Sequence, residues 1–133
     1  MASTGKCLCG AVNLTLEDGN SATHVTCHCD NCQLSGGSPY ATYLFVPKAN
    51  VKLEGETIEA FTKADSGNDV SWVACKKCGT PLTHGSDGLG DNICLRSPLF
   101  PSLKTLPLKV EYYTCNRWAG VAPIEGATQL EKM

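Results

Sequence analysis

Seven of the nine cysteines in this chain fall in three tight groups, Cys7-x-Cys9, Cys27-x-Cys29-x-x-Cys32 and Cys75-x-x-Cys78, leaving Cys94 and Cys115 alone. Sulfurs a few residues apart can point at one centre, so this grouping predicts metal ligation in a reducing compartment rather than a disulfide scaffold. The odd cysteine count agrees. Cys75-Lys76-Lys77-Cys78-Gly79 lies between two predicted strands, the setting of a knuckle in which a tight turn aims both sulfurs at one ion. A pair supplies two ligands, and Cys7 with Cys9 is its natural complement. The closed four-cysteine zinc site that results exposes no position to substrate. It predicts a structural staple joining segments 66 positions apart, from Cys9 to Cys75.

The middle group is different in kind. Cys27, Cys29 and Cys32 offer three thiolates within six residues, and three ligands leave one position on zinc open, as catalysis requires. A fourth ligand from Cys94, Cys115 or a histidine, or three free thiols, are the alternatives. His28 between two ligands is predicted to face away from them in an extended segment. His24 and His84 sit on predicted strands as alternative candidates for base or fourth ligand, and Cys94 and Cys115 read as small core residues. A rival pairing of Cys29-x-x-Cys32 with Cys75-x-x-Cys78 gives a zinc ribbon, a non-catalytic module for binding protein or nucleic acid; it leaves Cys7, Cys9 and Cys27 unexplained.

With 133 residues, 42% hydrophobic and 18% charged, one zinc-binding domain over 1–133 is expected. Eleven Lys and Arg against thirteen acids supply no cationic field, so nucleic acid is not expected as a partner. No apolar leader precedes Cys7 and no run approaches the ~20 residues of a bilayer span, which predicts a cytoplasmic protein with no membrane partner. Thirteen glycines and seven prolines punctuate segments of period two, a mainly β pattern. Strands are predicted at 12–16, 24–27, 40–46, 51–53, 58–62, 70–74, 81–84, 93–96 and 108–114. The first two are expected to form a hairpin, the following four a meander, and the whole a small antiparallel sheet system. One helical turn is predicted, capped by Asp30 and ended by Gly36-Gly37.

Three blocks carry a family resemblance: Cys7-Leu8-Cys9-Gly10-Ala11-Val12; Cys27-His28-Cys29-Asp30-Asn31-Cys32-Gln33 followed by Gly37-Ser38-Pro39-Tyr40; and Cys75-Lys76-Lys77-Cys78-Gly79-Thr80-Pro81-Leu82. In order and spacing they resemble the glutathione-dependent formaldehyde-activating enzyme family, which includes the centromere protein V domain. The resemblance implies a β-tent fold with few helices, a structural zinc on Cys7, Cys9, Cys75 and Cys78, a labile catalytic zinc on Cys27, Cys29 and Cys32, and carbon-sulfur lyase activity. The last third departs from the family pattern at Arg96-Ser97-Pro98-Leu99, at Glu111 and at Trp118.

Two Zn2+ per chain are therefore expected. A zinc carrying three thiolates is a poor acidifier of water and a good holder of a fourth soft ligand, which points to a thiol substrate such as glutathione adding to, or leaving, an electrophilic carbon. Arg96 and Arg117, the only arginines, are the candidates for binding its carboxylates.

Overall fold

The computed structural model describes residues 2–133 and is mainly β, with one α-helix and several 3-10 turns. Three strands, β1 (Ala2–Lys6), β2 (Asn13–Glu17) and β5 (Val51–Glu54), form a small sheet in the order β1-β2-β5. The rest form an eight-stranded sheet: β3 (Thr23–Cys27), β4 (Ala41–Pro47), β6 (Thr57–Lys63), β7 (Asp69–Cys75), β8 (Pro81–Ser86), β9 (Asn92–Arg96), β10 (Val110–Tyr112) and β11 (Thr128–Gln129). Its order is β11-β10-β3-β4-β9-β8-β7-β6. Helix α1 (Asp30–Gly36) connects β3 to β4.

Side chains alternate across a strand, so a strand covered on both faces must be apolar at successive positions. β4 meets this demand. Leu44 and Val46 join Val12, Leu14 and Leu16 of the small sheet, with Leu82, Leu95, Phe100 and Leu103, in the main core. Ala41 and Tyr43 point the other way, into a second cluster with Val25, Cys27, Cys32 and Cys94. The two sheets are thus held by ordinary apolar burial, where truncating one fully buried leucine such as Leu44 costs about 2–5 kcal/mol.

Three expectations about connectivity need correction. The segments 12–16 and 24–27 do not form a hairpin: β2 pairs with β1 and β5, whereas β3 pairs with β4 and β10. Asp18, at φ 53°, and the 3-10 turn Gly19–Ser21 carry the chain from one sheet to the other instead of folding it back. The meander runs through β6, β7, β8 and β9, because β5 leaves for the small sheet. The large sheet is also not wholly antiparallel. β10 lies parallel to β3 and to β11, since the chain arrives after a long Pro-rich crossing through residues 97–109.

β1 has no apolar alternation and was not expected. It is held by register with β2, and its Gly5 is required by contact: a Cβ there would stand 2.6 Å from the Leu99 carbonyl oxygen. α1 begins where predicted, but its N-cap is Cys29, whose Sγ accepts from the Cys32 amide, and not Asp30. Gly37, at φ 63°, ends it in the left-handed region that favours glycine. No helix among the described residues is long and apolar enough to cross a membrane.

Candidate metal centres

The first knuckle follows β1 and the second follows β7, and both reverse the chain through a positive-φ glycine, Gly10 at 80° and Gly79 at 76°. Backbone bonds close each turn: Cys7 N–H donates to the Val12 carbonyl at 3.1 Å and Cys75 N–H to that of Thr80 at 3.0 Å. The knuckles are stitched together by Leu8 N–H, which donates to Thr80 Oγ1 at 3.1 Å. The outcome is that the sulfurs of Cys7, Cys9, Cys75 and Cys78 all lie within 4.8 Å of one another. Sγ separations of 3.6 Å for Cys7–Cys9 and 3.9 Å for Cys9–Cys75 match the edge of about 3.8 Å of a tetrahedron with metal–sulfur bonds of about 2.3 Å. Amides of Val12 and Cys78 aim at Cys7 Sγ (3.3 Å) and Cys75 Sγ (3.5 Å), the donors that a thiolate rather than a thiol rewards. The Thr80 hydroxyl, 3.0 Å from Cys78 Sγ, holds the Cys78 thiol down to about 5. These residues fit a closed four-thiolate metal site.

Cys27 ends β3, Cys29 caps α1 and Cys32 lies in its first turn, so one strand-to-helix junction delivers all three sulfurs, again within 4.8 Å of each other. No fourth cysteine, histidine or carboxylate joins this group among the described residues. Cys94 is buried on β9, and Cys115 is exposed beside Asn116. The ribbon pairing is not formed, because Cys75 and Cys78 converge with Cys7 and Cys9 rather than with Cys29 and Cys32. Hydrogen bonds from Cys27 and Cys32 hold the Cys29 thiol down to about 3, while Cys29 and Cys32 push Cys27 upward. Cys32, drawn down by Cys27 but driven up by Cys29 and burial, rises to about 12. Like charges this close cannot all form alone; a divalent cation is what lets three thiolates coexist. The donor set fits a metal.

Register builds the rest of the site. Across the large sheet Tyr43 pairs with Val25 and Arg96, His84 with Cys94, and Trp72 with His84. Cross-strand partners share a face, so these residues stand on the face that carries Cys27. A cavity of about 490 Å3 opens there, lined by Cys27, Cys29, Cys32, Tyr43, Trp72 and His84 among others. Tyr43 Oη donates to Cys32 Sγ at 2.6 Å. The His84 ring stacks on Trp72 with centroids 4.8 Å apart and meets the Tyr43 ring edge-on at 4.4 Å. Burial, reinforced by the Arg96 charge, lowers the His84 pKa to about 4, so its imidazole is neutral at pH 7. Its Nδ1 is buried without a hydrogen-bond partner among the described residues.

His28 faces away from the sulfurs, as the alternation requires. It is fully buried, with Nε2 donating to Glu111 Oε1 at 2.7 Å. Glu111 also accepts from the Ile124 amide at 2.7 Å and from Gln129 Nε2 at 2.5 Å. Gln33 Nε2 donates to the carbonyls of His28 and Asn116, and Trp118 Nε1 donates to Gln33 Oε1. The C-terminal segment thereby clamps the cysteine loop. Sequence reasoning named Gln33 within a family block and Glu111 as a departure from the family pattern but missed the clamp they form; a carboxylate between Val110 and Tyr112 on a predicted strand was the available signal. Neither arginine lines the three-cysteine cavity. Arg117 is engaged with Glu111 at 3.4 Å and with Gln129. Arg96 lies over the Tyr43 ring and donates to Ser35 Oγ.

Fold and donor sets together define a small β protein with two cysteine groups able to hold metal ions. The chain belongs to the glutathione-dependent formaldehyde-activating enzyme family, whose sequence profile matches residues 2–116. Among solved structures it is similar to a Rhodobacter sphaeroides protein determined as a structural-genomics target. That similarity has a TM-score of 0.56 at 17% identity, over 96% of this chain and 98% of the other, and it concerns the fold alone. No curated protein matches the chain.

Proposed function

We propose that this protein is a zinc-dependent carbon-sulfur lyase-type enzyme acting on a thiol of the glutathione kind. Cys27, Cys29 and Cys32 hold the catalytic zinc, and Cys7, Cys9, Cys75 and Cys78 hold a structural one. The observation that carries the reading is the convergence of three sulfurs, with no fourth protein ligand among the described residues, on the wall of a cavity. Zinc with three thiolates supplies one open position at which a thiol is favoured as thiolate.

The chain's own residues do the remaining work. Tyr43 donates to Cys32 Sγ and so fixes that sulfur and tempers its charge. His84, neutral and held between the Trp72 and Tyr43 rings, lines the cavity wall and adds no charge of its own there. Trp72 and Tyr43 line the same cavity and present its aromatic wall. Family membership supports a role involving glutathione; the choice of electrophile rests with the cavity. The nine cysteines, none of them in a disulfide, suit the reducing cytoplasm.

Cobalt-substituted protein titrated with glutathione tests the proposal. Thiolate-to-cobalt absorption is expected to change saturably in the wild type and not in Cys32→Ser. An unchanged spectrum at saturating glutathione and cysteine overturns the thiol reading and leaves the fold in place.

A further inference from the structure

A second concavity, of about 880 Å3, opens beyond the C-terminal end of α1, next to the first knuckle. Lys6, Leu8, Tyr40, Thr42, Arg96 and Leu99 are among its lining residues, and the lining contains two cations and no Asp or Glu. In a chain of formal charge −2 that concentration of positive charge stands out against the three-cysteine cavity, whose lining has Asp30 and Asp65 and no Lys or Arg.

Arg96 is the decisive residue. Only 8% of it is exposed, and among the described residues no carboxylate stands within salt-bridge distance. Its Nη2 donates to Ser35 Oγ at 2.7 Å and its guanidinium lies 5.0 Å from the centre of the Tyr43 ring. A guanidinium carries five N–H donors and a charge it does not lose, and burying it without an anion is costly. Ser35 and the ring answer a small part of that demand. Among the described residues the three sulfurs accept no hydrogen bond from Arg96, and Cys32 Sγ takes its donor from the Tyr43 hydroxyl. Gly36 keeps the approach open, since a Cβ there would come within 2.8 Å of Arg96 Nη1.

We propose that this cavity is a binding site for an organic carboxylate with an apolar body. The carboxylate takes the fork of Arg96, to which its planar geometry is matched. The body lies along Tyr40, Leu99 and the exposed Leu8, held in place between two cysteines of the first knuckle. Lys6 on the rim supplies attraction. The site is separate from the thiol site of the proposed function and stands or falls without it, because Arg96 does not line the three-cysteine cavity.

The test is a titration of the metal-loaded full chain, followed by backbone amide NMR, with 4-methylpentanoate, with 4-methylpentanamide and with inorganic phosphate. The carboxylate is expected to shift the amides of Lys6, Leu8 and Thr42 saturably, and the neutral amide to bind about tenfold or more weakly, as loss of a charged hydrogen bond requires. Arg96→Gln is expected to abolish the effect while the remaining spectrum reports an intact fold. If that variant does not fold, Lys6→Glu decides, with an expected loss of about fivefold or more. Equal binding of acid and amide, unchanged binding by the folded variant, tighter binding of phosphate, or shifts confined to residues 27–32 each overturn the proposal.

Discussion

Tyr43 is the residue on which the candidate site turns. Its hydroxyl donates to Cys32 Sγ, its ring supports Arg96, and its edge meets His84. Removing the hydroxyl in Tyr43→Phe leaves the ring and its packing in place but strips one donor from a buried sulfur, so a stability loss of about 1 kcal/mol is expected. The same change should speed chelator extraction of metal from the three-cysteine group and leave the four-cysteine group untouched, which a two-phase extraction time course would resolve. Equal extraction from wild type and variant would show that the bond does not steady Cys32. Glu111 makes a pH prediction. It is fully buried, and although burial pushes its pKa up, bonds from Gln129, His28 and the Ile124 amide, with the Arg117 charge, hold it down to about 2. A depressed carboxylate stabilises the fold above its unfolded value of about 4.5, and that contribution disappears as pH falls from about 4.5 through about 2. Acid unfolding of Glu111→Gln should lack this portion of the slope. Metal release by protonated thiolates is common to both proteins, so their difference isolates Glu111, and identical slopes would contradict the assignment.

Among the elements, the helix α1 and its flanks show what the sequence discloses and what it hides. The spacing of Cys27, Cys29 and Cys32 and the glycines at 36 and 37 announced a short turn with three sulfurs on one side, because both signals are local. The cap was misassigned to Asp30, since a cysteine seldom caps a helix unless its sulfur is charged, and charge at Cys29 comes from neighbours that only the folded loop provides. β1 was invisible for a related reason: Ala2–Lys6 has no apolar alternation and is held by pairing with β2. The His28–Glu111 clamp joins positions 83 apart, and no periodicity carries that information. The parallel placement of β10 beside β3, which brings Glu111 under His28, depends on the course of the crossing after β9. The division of seven cysteines into four and three was legible, because each pair or triple marks its own turn.

For the molecule as a whole, the two cysteine groups occupy different places in the fold. Cys7 and Cys9 extend from the small sheet, and Cys75 and Cys78 from the large one, so a metal held by all four would fasten the two sheets together. Cys78→Ser should therefore cost several kcal/mol or prevent folding, as loss of a structural metal does. Cys32→Ser should leave a folded chain, because the main core includes none of Cys27, Cys29 and Cys32. Thermal melts of the two variants decide this, and equal collapse of both would make the middle group structural. Two zinc ions per chain, measured by elemental analysis of protein purified without chelator, are expected for the wild type and one for Cys32→Ser. The central claim is that one metal is closed by four protein sulfurs and the other keeps a position for a substrate thiol. X-ray absorption at the zinc edge addresses it directly, because it counts sulfur neighbours. The account predicts a mixed first shell of sulfur with a minor oxygen or nitrogen component in the protein alone, converted to an all-sulfur shell by glutathione. A shell that is already all sulfur, or one whose lighter component survives saturating glutathione, would contradict it.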